Sequence, residues 1–434
     1  MIFQPELETM PTADRRELQG RRLASLVDRL RASDVPYWKS KLAQTGPVER
    51  IEDVTRLPFT VKSEMRDTFP FGMLTVPIED CARIHASSGT SGKPTIVGYT
   101  TADLAVFAEV NARAIACAGG RPDDVFHIAY GYGLFTGGLG LHGGAELLGV
   151  TVVPASGGNA TFQAELLADL GARGFCCTPS FAALLAERAV EADLMDAIKA
   201  EYALLGAEPW SDEMRLKIEA AWGIDAIDLY GLSEVIGPGV ACESVAGKGA
   251  PFIFDDHFYP EIIEPGGFDP VPEGEYGELV LTTLTKEALP VLRYRTGDVT
   301  RFVDEPSACG RTFRRMDRIA GRVDDMLVIR GVNVFPSAIE AVLMADPDVS
   351  AQYAIVVDRT GTMAELEVRC ELARPDDLPR REEVRYRLER RFKSTLRIRA
   401  TATLGSPGSL PRQEVGKARR VFERVGDEDP LAGL

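Results

Sequence analysis

Apolar positions along the chain change period several times, and each change predicts an element. In "DRRELQGRRLASLVDRLRAS", Leu18, Leu23, Leu26, Val27 and Leu30 return at roughly three-and-four spacing, which predicts one face of an α-helix. Farther on, helical stretches alternate with short apolar runs. "AVFAEVNARAIACA" predicts a helix, "DVFHIAY" a strand, "HGGAELLGV" a helix and "TVVPA" a strand. The alternation continues through "AELLADLGARG", "FCCTP" and "SFAALLAERAV". Such alternation predicts parallel sheets covered by helices. From about Ile253 the pattern turns to "YGELVLTTLT" and "LPVLRYRTGDVTRFV", which predict antiparallel or barrel-like strands. A second break falls at "GRVDDMLVIRGVNVFPSAIEAVL". Beyond it, strands ("QYAIVVD", "MAELEVRCEL") and the charged helix "RREEVRYRLERRFKSTL" predict a compact α+β unit of about a hundred residues. The basic run "RYRLERRF" reads as a solvated helix face.

Composition narrows the classes. At 434 residues the chain exceeds one ordinary core, so at least two domains are expected. The net charge of −16, with no concentrated basic block, argues against a nucleic-acid partner. No window approaches the ~18 apolar residues needed to span a bilayer. No signal peptide is read at "MIFQPELETMPTADRRE". The seven scattered cysteines lack a disulfide-like pattern, so reduced, mostly buried thiols and a cytoplasmic address are expected.

Five segments resist a purely structural reading. The first is "SSGTSGKPT", Ser87 to Thr95, set between the strand-like runs "CARIHA" and "IVGYT". It is not a Walker A loop, because two residues separate Gly89 from Gly92 and Pro94 follows Lys93. The logic is similar: glycines let backbone N–H groups approach an anion, hydroxyls add donors and the lysine adds charge. The second is "DLYGLSEVIGPGV", where Tyr230 offers an aromatic face and Glu234 an acceptor suited to Mg²⁺ beside phosphates. Upstream of it, "LLGAEPW" puts Gly206, Ala207, Glu208 and Pro209 after an apolar strand, where such sheets meet ligands. The third is "RYRTGDVTRF", whose Asp298 could accept both ribose hydroxyls or serve a turn. The fourth, "GRVDDMLVIRG", joins Arg322 to the pair Asp324 and Asp325 at the break. The fifth, "LPRQEVGKARRV", holds Lys417, which taken alone reads as a surface lysine.

In this order the segments resemble the adenylate-forming enzymes, the superfamily of acyl-CoA synthetases and adenylation domains. The resemblance covers nearly the whole chain and is closest to the phenylacetate–CoA ligase family. Its hallmarks are "YGYGLFTGGLG", "YGLSEVIGPGVA", "DDHFYPEIIEP", "LTTLTKEALPVLRYRTGD" and "RVDDMLVIRGVNVFPSAIE". The resemblance implies an α/β fold with a large N-terminal domain, residues 1–323, of helix-covered sheets plus a barrel-like part. A small mobile α+β domain, residues 324–434, would follow, with Asp324 as hinge. The implied activity is ATP-dependent formation of an acyl-adenylate from an aryl acid, then its transfer to coenzyme A. The alternative is a stand-alone aryl acid–AMP ligase that loads a separate phosphopantetheine carrier protein.

The resemblance also assigns residues. Ser87, Ser88, Gly89, Thr90, Ser91, Gly92 and Lys93 would hold the ATP phosphates, with Mg²⁺ on Glu234. Gly206, Ala207, Glu208, Pro209, Asp228, Tyr230, Gly231 and Ser233 would surround the nucleotide, and Asp298 and Arg322 the ribose. Lys417 would contact the substrate carboxylate and the α-phosphate during adenylation. Tyr132, Phe135, Gly138, Ile236, Gly237 and Pro238 would line the acid pocket, with Lys62 near the carboxylate. Relatives carry a structural zinc, but Ser307 stands where a cysteine is needed, leaving Cys309, Cys242 and His257 badly spaced; no zinc is expected. A homodimer is expected because members of this branch dimerise.

Overall fold

The structure, a computed structural model, describes residues 1–87, 94–329, 332–360, 364–424, 426 and 428–432. Its centre is a nine-stranded sheet. From one edge it runs through Thr151–Val153, Val125–Ile128, Gly174–Cys177, Tyr202–Gly206 and Asp225–Leu232, all parallel. It continues antiparallel through Gly237–Cys242, Phe252–Ile253, Arg315–Met316 and Phe302–Val303. The period of two in a strand sends neighbours to opposite faces. Phe175, Cys177, Ala203, Leu205 and Ala226 pack on one side. Cys176, Leu204, Ile227 and Leu229 pack on the other. Helices Ala160–Asp169, Pro179–Glu191 and Asp212–Trp222 cover the first face, and Thr101–Cys117 and Gly137–Leu148 the second. Each helix starts or stops on a readable signal. Thr100 and Asp103 form a reciprocal cap, with Thr100 Oγ1 accepting the Asp103 N–H at 3.1 Å. Thr178 and Ser211 cap the helices Pro179–Glu191 and Asp212–Trp222, and Gly149 and Gly223 end theirs at φ +88° and +70°. The predicted helix "AELLADLGARG" ends sooner, at Asp169, because Gly171 turns at φ +59°.

Residues after Ile253 form a four-stranded antiparallel sheet in the order Phe258–Ile263, Gly277–Thr283, Tyr294–Thr300, Gly321–Arg322. The C-terminal unit holds a second four-stranded sheet in the order Ala400–Gly405, Glu365–Leu372, Val349–Asp358, Val421–Arg424, with helices Pro336–Met344 and Arg381–Arg391. The charged helix buries only Val384 and Leu388 and leaves Tyr386 exposed, the solvated face its sequence predicted. Five of the seven cysteines are buried, and all seven are free. Among the described residues, no helix is long and apolar enough to cross a membrane.

The two units touch along one side. Ser211 N donates to Glu340 Oε1 at 2.7 Å, and Asn159 N to Glu414 Oε2 at 2.9 Å. Arg412 Nε donates to Glu187 Oε2 at 3.1 Å. Lys217 reaches the carbonyls of Asp346 and Val349.

Candidate active site

The strand Asp225–Leu232 and the strand Tyr294–Thr300 are joined through the side chains of Tyr230 and Asp298, and the candidate residues gather around this junction. The hairpin Arg83–Ala86 and Ile96–Tyr99 carries the hydroxyl-rich loop, of which Ser88, Gly89, Thr90, Ser91, Gly92 and Lys93 lie outside the described residues. Ser87, at its root, donates its N–H to Thr95 O at 3.0 Å, while its buried Oγ has no hydrogen-bond partner among the described residues. Thr95 Oγ1 and Glu234 Oε1 are likewise buried without a hydrogen bond among the described residues. Polar atoms left so at the root of a glycine-rich loop suit a polar ligand.

Glu234 is 4% exposed, and Lys62 Nζ stands 3.0 Å from its Oε1. Lys62 opens the helix Lys62–Asp67, so a distant segment supplies the cation that this carboxylate faces. A buried carboxylate fits Mg²⁺, which binds through one or two carboxylates plus phosphates. Ser233 Oγ lies 3.1 Å from Thr136 Oγ1. Below, Lys286 is 2% exposed; it donates to Val235 O at 3.0 Å and lies 4.3 Å over the Tyr99 ring. Burial lowers its pKa to about 8, against the pull of Asp103 and Glu234. Tyr99 Oη donates to Ile236 O at 2.8 Å, so two side chains fix the backbone after Glu234.

Asp298 is the hub of the opposite wall. Tyr230 Oη donates to its Oδ2 at 2.6 Å, and Arg322 Nη1 to its Oδ1 at 2.8 Å. Arg322 also donates from Nε to Asp324 Oδ1 at 2.9 Å. Burial raises the Asp298 pKa, with Arg322 and Tyr230 opposing. Gly297 must be glycine here: φ is +78°, and a Cβ would meet Arg322 Nη2 at 3.0 Å. The structure thus joins Tyr230, Asp298, Arg322 and Asp324 in one chain of polar contacts.

Other expected residues make contacts within the frame. Asp228 accepts from Trp210 Nε1 at 2.9 Å and Arg318 Nε at 3.4 Å, and its N–H donates to buried Glu243. Gly206 and Gly231 are required by close strand approach, since a Cβ would lie 2.1 Å from Leu229 O and 1.9 Å from Gly237 O. Ala207 takes φ +69°, and Pro209 is exposed. Glu208 is half-buried, and both its oxygens are engaged: Oε1 accepts from Ser180 Oγ at 2.9 Å and from the Ala418 N–H, Oε2 from Ser180 N at 3.3 Å. On the acid-pocket side, Tyr132 and Phe135 are half-buried, and Tyr132 Oη lies 3.1 Å from His142 Nδ1. Gly138 seats on the carbonyls of Gly131 and Tyr130, and Gly237, at φ +110°, faces Phe107 and Thr136. Pro238 O accepts from Asn111 Nδ2 at 3.1 Å. Ile236 is 1% exposed and belongs to the core.

Lys417 arrives from the C-terminal unit. Gln413 shapes its loop: Nε2 donates to Lys417 O at 2.6 Å and Val415 O at 3.0 Å, and Oε1 accepts the Arg419 N–H at 3.0 Å. The lysine is exposed to solvent. Desolvation lowers its pKa, and Asp298, Glu208 and Glu234 oppose that shift. Of the expected zinc candidates, Cys309 Sγ accepts from Ser307 Oγ at 3.2 Å and Cys242 Sγ donates to Glu243 O at 3.2 Å. His257 instead faces Thr285, Glu109 and Asp256. Sequence reasoning missed Lys286, Ser180, Trp210 and Gln413. Lys286 lay inside a quoted hallmark, but nothing in its spacing distinguishes a fully buried lysine from a surface one.

Comparison with known proteins gives the family and its structural neighbours. The AMP-binding enzyme family model matches residues 24–284, and the AMP-binding enzyme C-terminal domain model matches 331–424. The phenylacetate-coenzyme A ligase of Thermus thermophilus is 48% identical, with 98% of this chain and 99% of that protein covered. The phenylacetate-coenzyme A ligase of Escherichia coli is 45% identical, covering 98% of each. Among solved structures, a 2-hydroxyisobutyryl-CoA ligase in the postadenylation state superposes at TM-score 0.91 with 28% identity, over 98% of this chain and 92% of that one. The same enzyme in the thioesterification state, with CoA, gives 0.71 at 29% identity, over 96% and 91%. The arrangement of this chain therefore follows the first of those states.

Proposed function

The chain belongs to the AMP-binding enzyme family, and from that premise we propose that it joins an aryl carboxylic acid, phenylacetate or a near analogue, to coenzyme A at the expense of ATP. The acid's carboxylate attacks the α-phosphorus, pyrophosphate leaves, and an acyl-adenylate forms. The thiol of CoA then attacks the acyl carbon, AMP departs with the bonding pair and the thiol proton is released. Two anions meet in the first step, so cations and donors must surround the α-phosphate. Lys417, on a loop docked through the Ala418 N–H and near enough to Asp298, Glu208 and Glu234 to feel their charge, is the group that meets this need, and the docking of its loop is the observation that carries the reading.

Asp298 and Arg322 are assigned the ribose, with Tyr230 beside the adenine; Lys93, Ser88 and Thr90 are assigned the phosphates on resemblance. Glu234 would hold Mg²⁺, which supplies positive charge beside the phosphates. Lys62, now against Glu234, would then be free for the acid's carboxylate. The domain boundary is set at 323/324, with Asp324 as the hinge about which Lys417 withdraws before the thiol enters. A cytoplasmic homodimer completes the proposal. It is tested by mass spectrometry of the purified protein with ATP, Mg²⁺ and a panel of aryl acids, with and without CoA. An aryl-CoA from phenylacetate or an analogue is expected; pyrophosphate and an aryl-adenylate without an aryl-CoA would move the acceptor to a carrier protein.

A further inference from the structure

The Glu208 carboxylate has both oxygens committed, and none of its partners is a nucleotide-facing group. Ser180 gives it a hydroxyl and a backbone N–H at the start of the helix Pro179–Glu191. The remaining partner is the N–H of Ala418, one residue beyond Lys417 and on the other structural unit. This bond crosses between the units at the point nearest the residue that must enter and leave the cleft. Other crossings flank it: Arg412 with Glu187, Glu414 with Asn159 N, and Val415 against Gly158. Gln413 keeps the loop rigid from within, so fixing Ala418 also fixes the backbone that carries Lys417.

We propose that Glu208 is a positioning residue that latches the Lys417 loop onto the large domain for adenylation, and that breaking its bond to Ala418 is part of the passage to thioester formation. The inference rests on the functional reading above. It turns a residue first assigned to the nucleotide into one that acts through the loop. A carboxylate suits the task. A charge-assisted acceptor holds a backbone donor more firmly than a neutral one, while Ser180 keeps it partly satisfied after the loop departs. Burial raises the Glu208 pKa, and the Ala418 N–H is the leading influence opposing that rise. The docked loop and the charged carboxylate therefore support each other.

The test separates the half-reactions. In Glu208→Ala, acid-dependent pyrophosphate release at saturating ATP should fall about 10- to 100-fold, the span of one lost charged hydrogen bond. The KM for ATP should stay within a factor of about two, and capture of preformed acyl-adenylate by CoA should proceed at the wild-type rate or faster. Glu208→Gln, which retains an acceptor of the same shape, should recover most of the loss. A raised KM for ATP with kcat preserved would return Glu208 to the nucleotide pocket. Equal loss in both half-reactions would make it merely structural. A second readout needs no activity. A Cβ built on Gly157 lies 3.9 Å from Val415 Cγ1, so the pair Gly157→Cys and Val415→Cys reports docking by its rate of disulfide formation. Adding Glu208→Gln should slow that trapping, and Glu208→Ala should slow it more. Unchanged trapping would overturn the latch even if the aryl-CoA reaction is real, and slowed trapping would uphold it even if the substrate class is wrong.

Discussion

Lys62 Nζ and Glu234 Oε1 lie 3.0 Å apart, yet the geometry leaves that oxygen without a hydrogen bond among the described residues. The pair is held by charge alone. Replacing Lys62 with Met removes the cation that touches Glu234, which should lower stability by about 1–2 kcal/mol, less than for a fully buried pair because Lys62 is part-exposed. Mg²⁺ at Glu234 should restore what was lost. Thermal melts with and without Mg²⁺ check this: Lys62→Met should gain more from the ion than the wild type, and Glu234→Gln should gain nothing. An identical response in all three would remove Glu234 from the metal site.

Asp298 divides its oxygens between Tyr230 and Arg322. Asp298→Ala should lower kcat/KM for ATP by about 100-fold, or ~2.7 kcal/mol. Tyr230→Phe removes one bond of 2.6 Å and should cost about 3- to 10-fold. Because the phenol acts through Asp298, the two effects should not add in the double variant. Full additivity would show that Tyr230 works on the nucleotide independently.

Lys417 must be charged to neutralise the meeting anions, and desolvation lowers its pKa from the usual lysine value. The adenylation rate should therefore fall as pH rises, beginning below the ordinary lysine pKa of about 10.4. CoA capture of a preformed adenylate should lack that limb. Lys417→Ala should reduce adenylation about 100-fold or more and spare the thiol step. Stopped-flow pyrophosphate release across pH, beside single-turnover thioester formation, makes the comparison. Equal loss in both steps would refute the role.

Asp324 accepts from Arg322, which also holds Asp298, so the assigned hinge is tied to the assigned ribose site. Asp324→Pro fixes φ and should slow the thiol step more than adenylation. Wild-type rates in both would place the hinge elsewhere.

Lys286 is protonated in the unfolded chain up to about pH 10.4, whereas its folded pKa is about 8. Between those values the unfolded state binds more protons, so stability rises with pH through that window. The wild type should gain up to about 3 kcal/mol over Lys286→Met between pH 7 and 10, read by urea titration. A constant difference across that range would contradict the depressed pKa.

Much of the frame was legible because it depends on local pattern. Alternating apolar runs gave the parallel strands, and Thr100, Thr178, Gly149 and Gly223 mark helix ends by chemistry that acts within a few residues. The site residues Tyr230, Glu234, Asp298 and Lys417 stood out only as motifs in order, since residue type and spacing carry no distances. That Asp228 contacts Trp210 and Arg318 follows from which strands become neighbours. Lys286 and Ser180 carried no signal, because burial and long-range pairing are properties of packing. The sequence by itself determined the elements, the family and the candidate chemistry, through periodicity and motif. Tertiary structure alone decided that Lys62 faces Glu234, that Tyr230 and Arg322 share Asp298, and that Glu208 reaches across to Ala418. Each of those contacts joins residues far apart in the chain, and only the folded arrangement sets the distance between them.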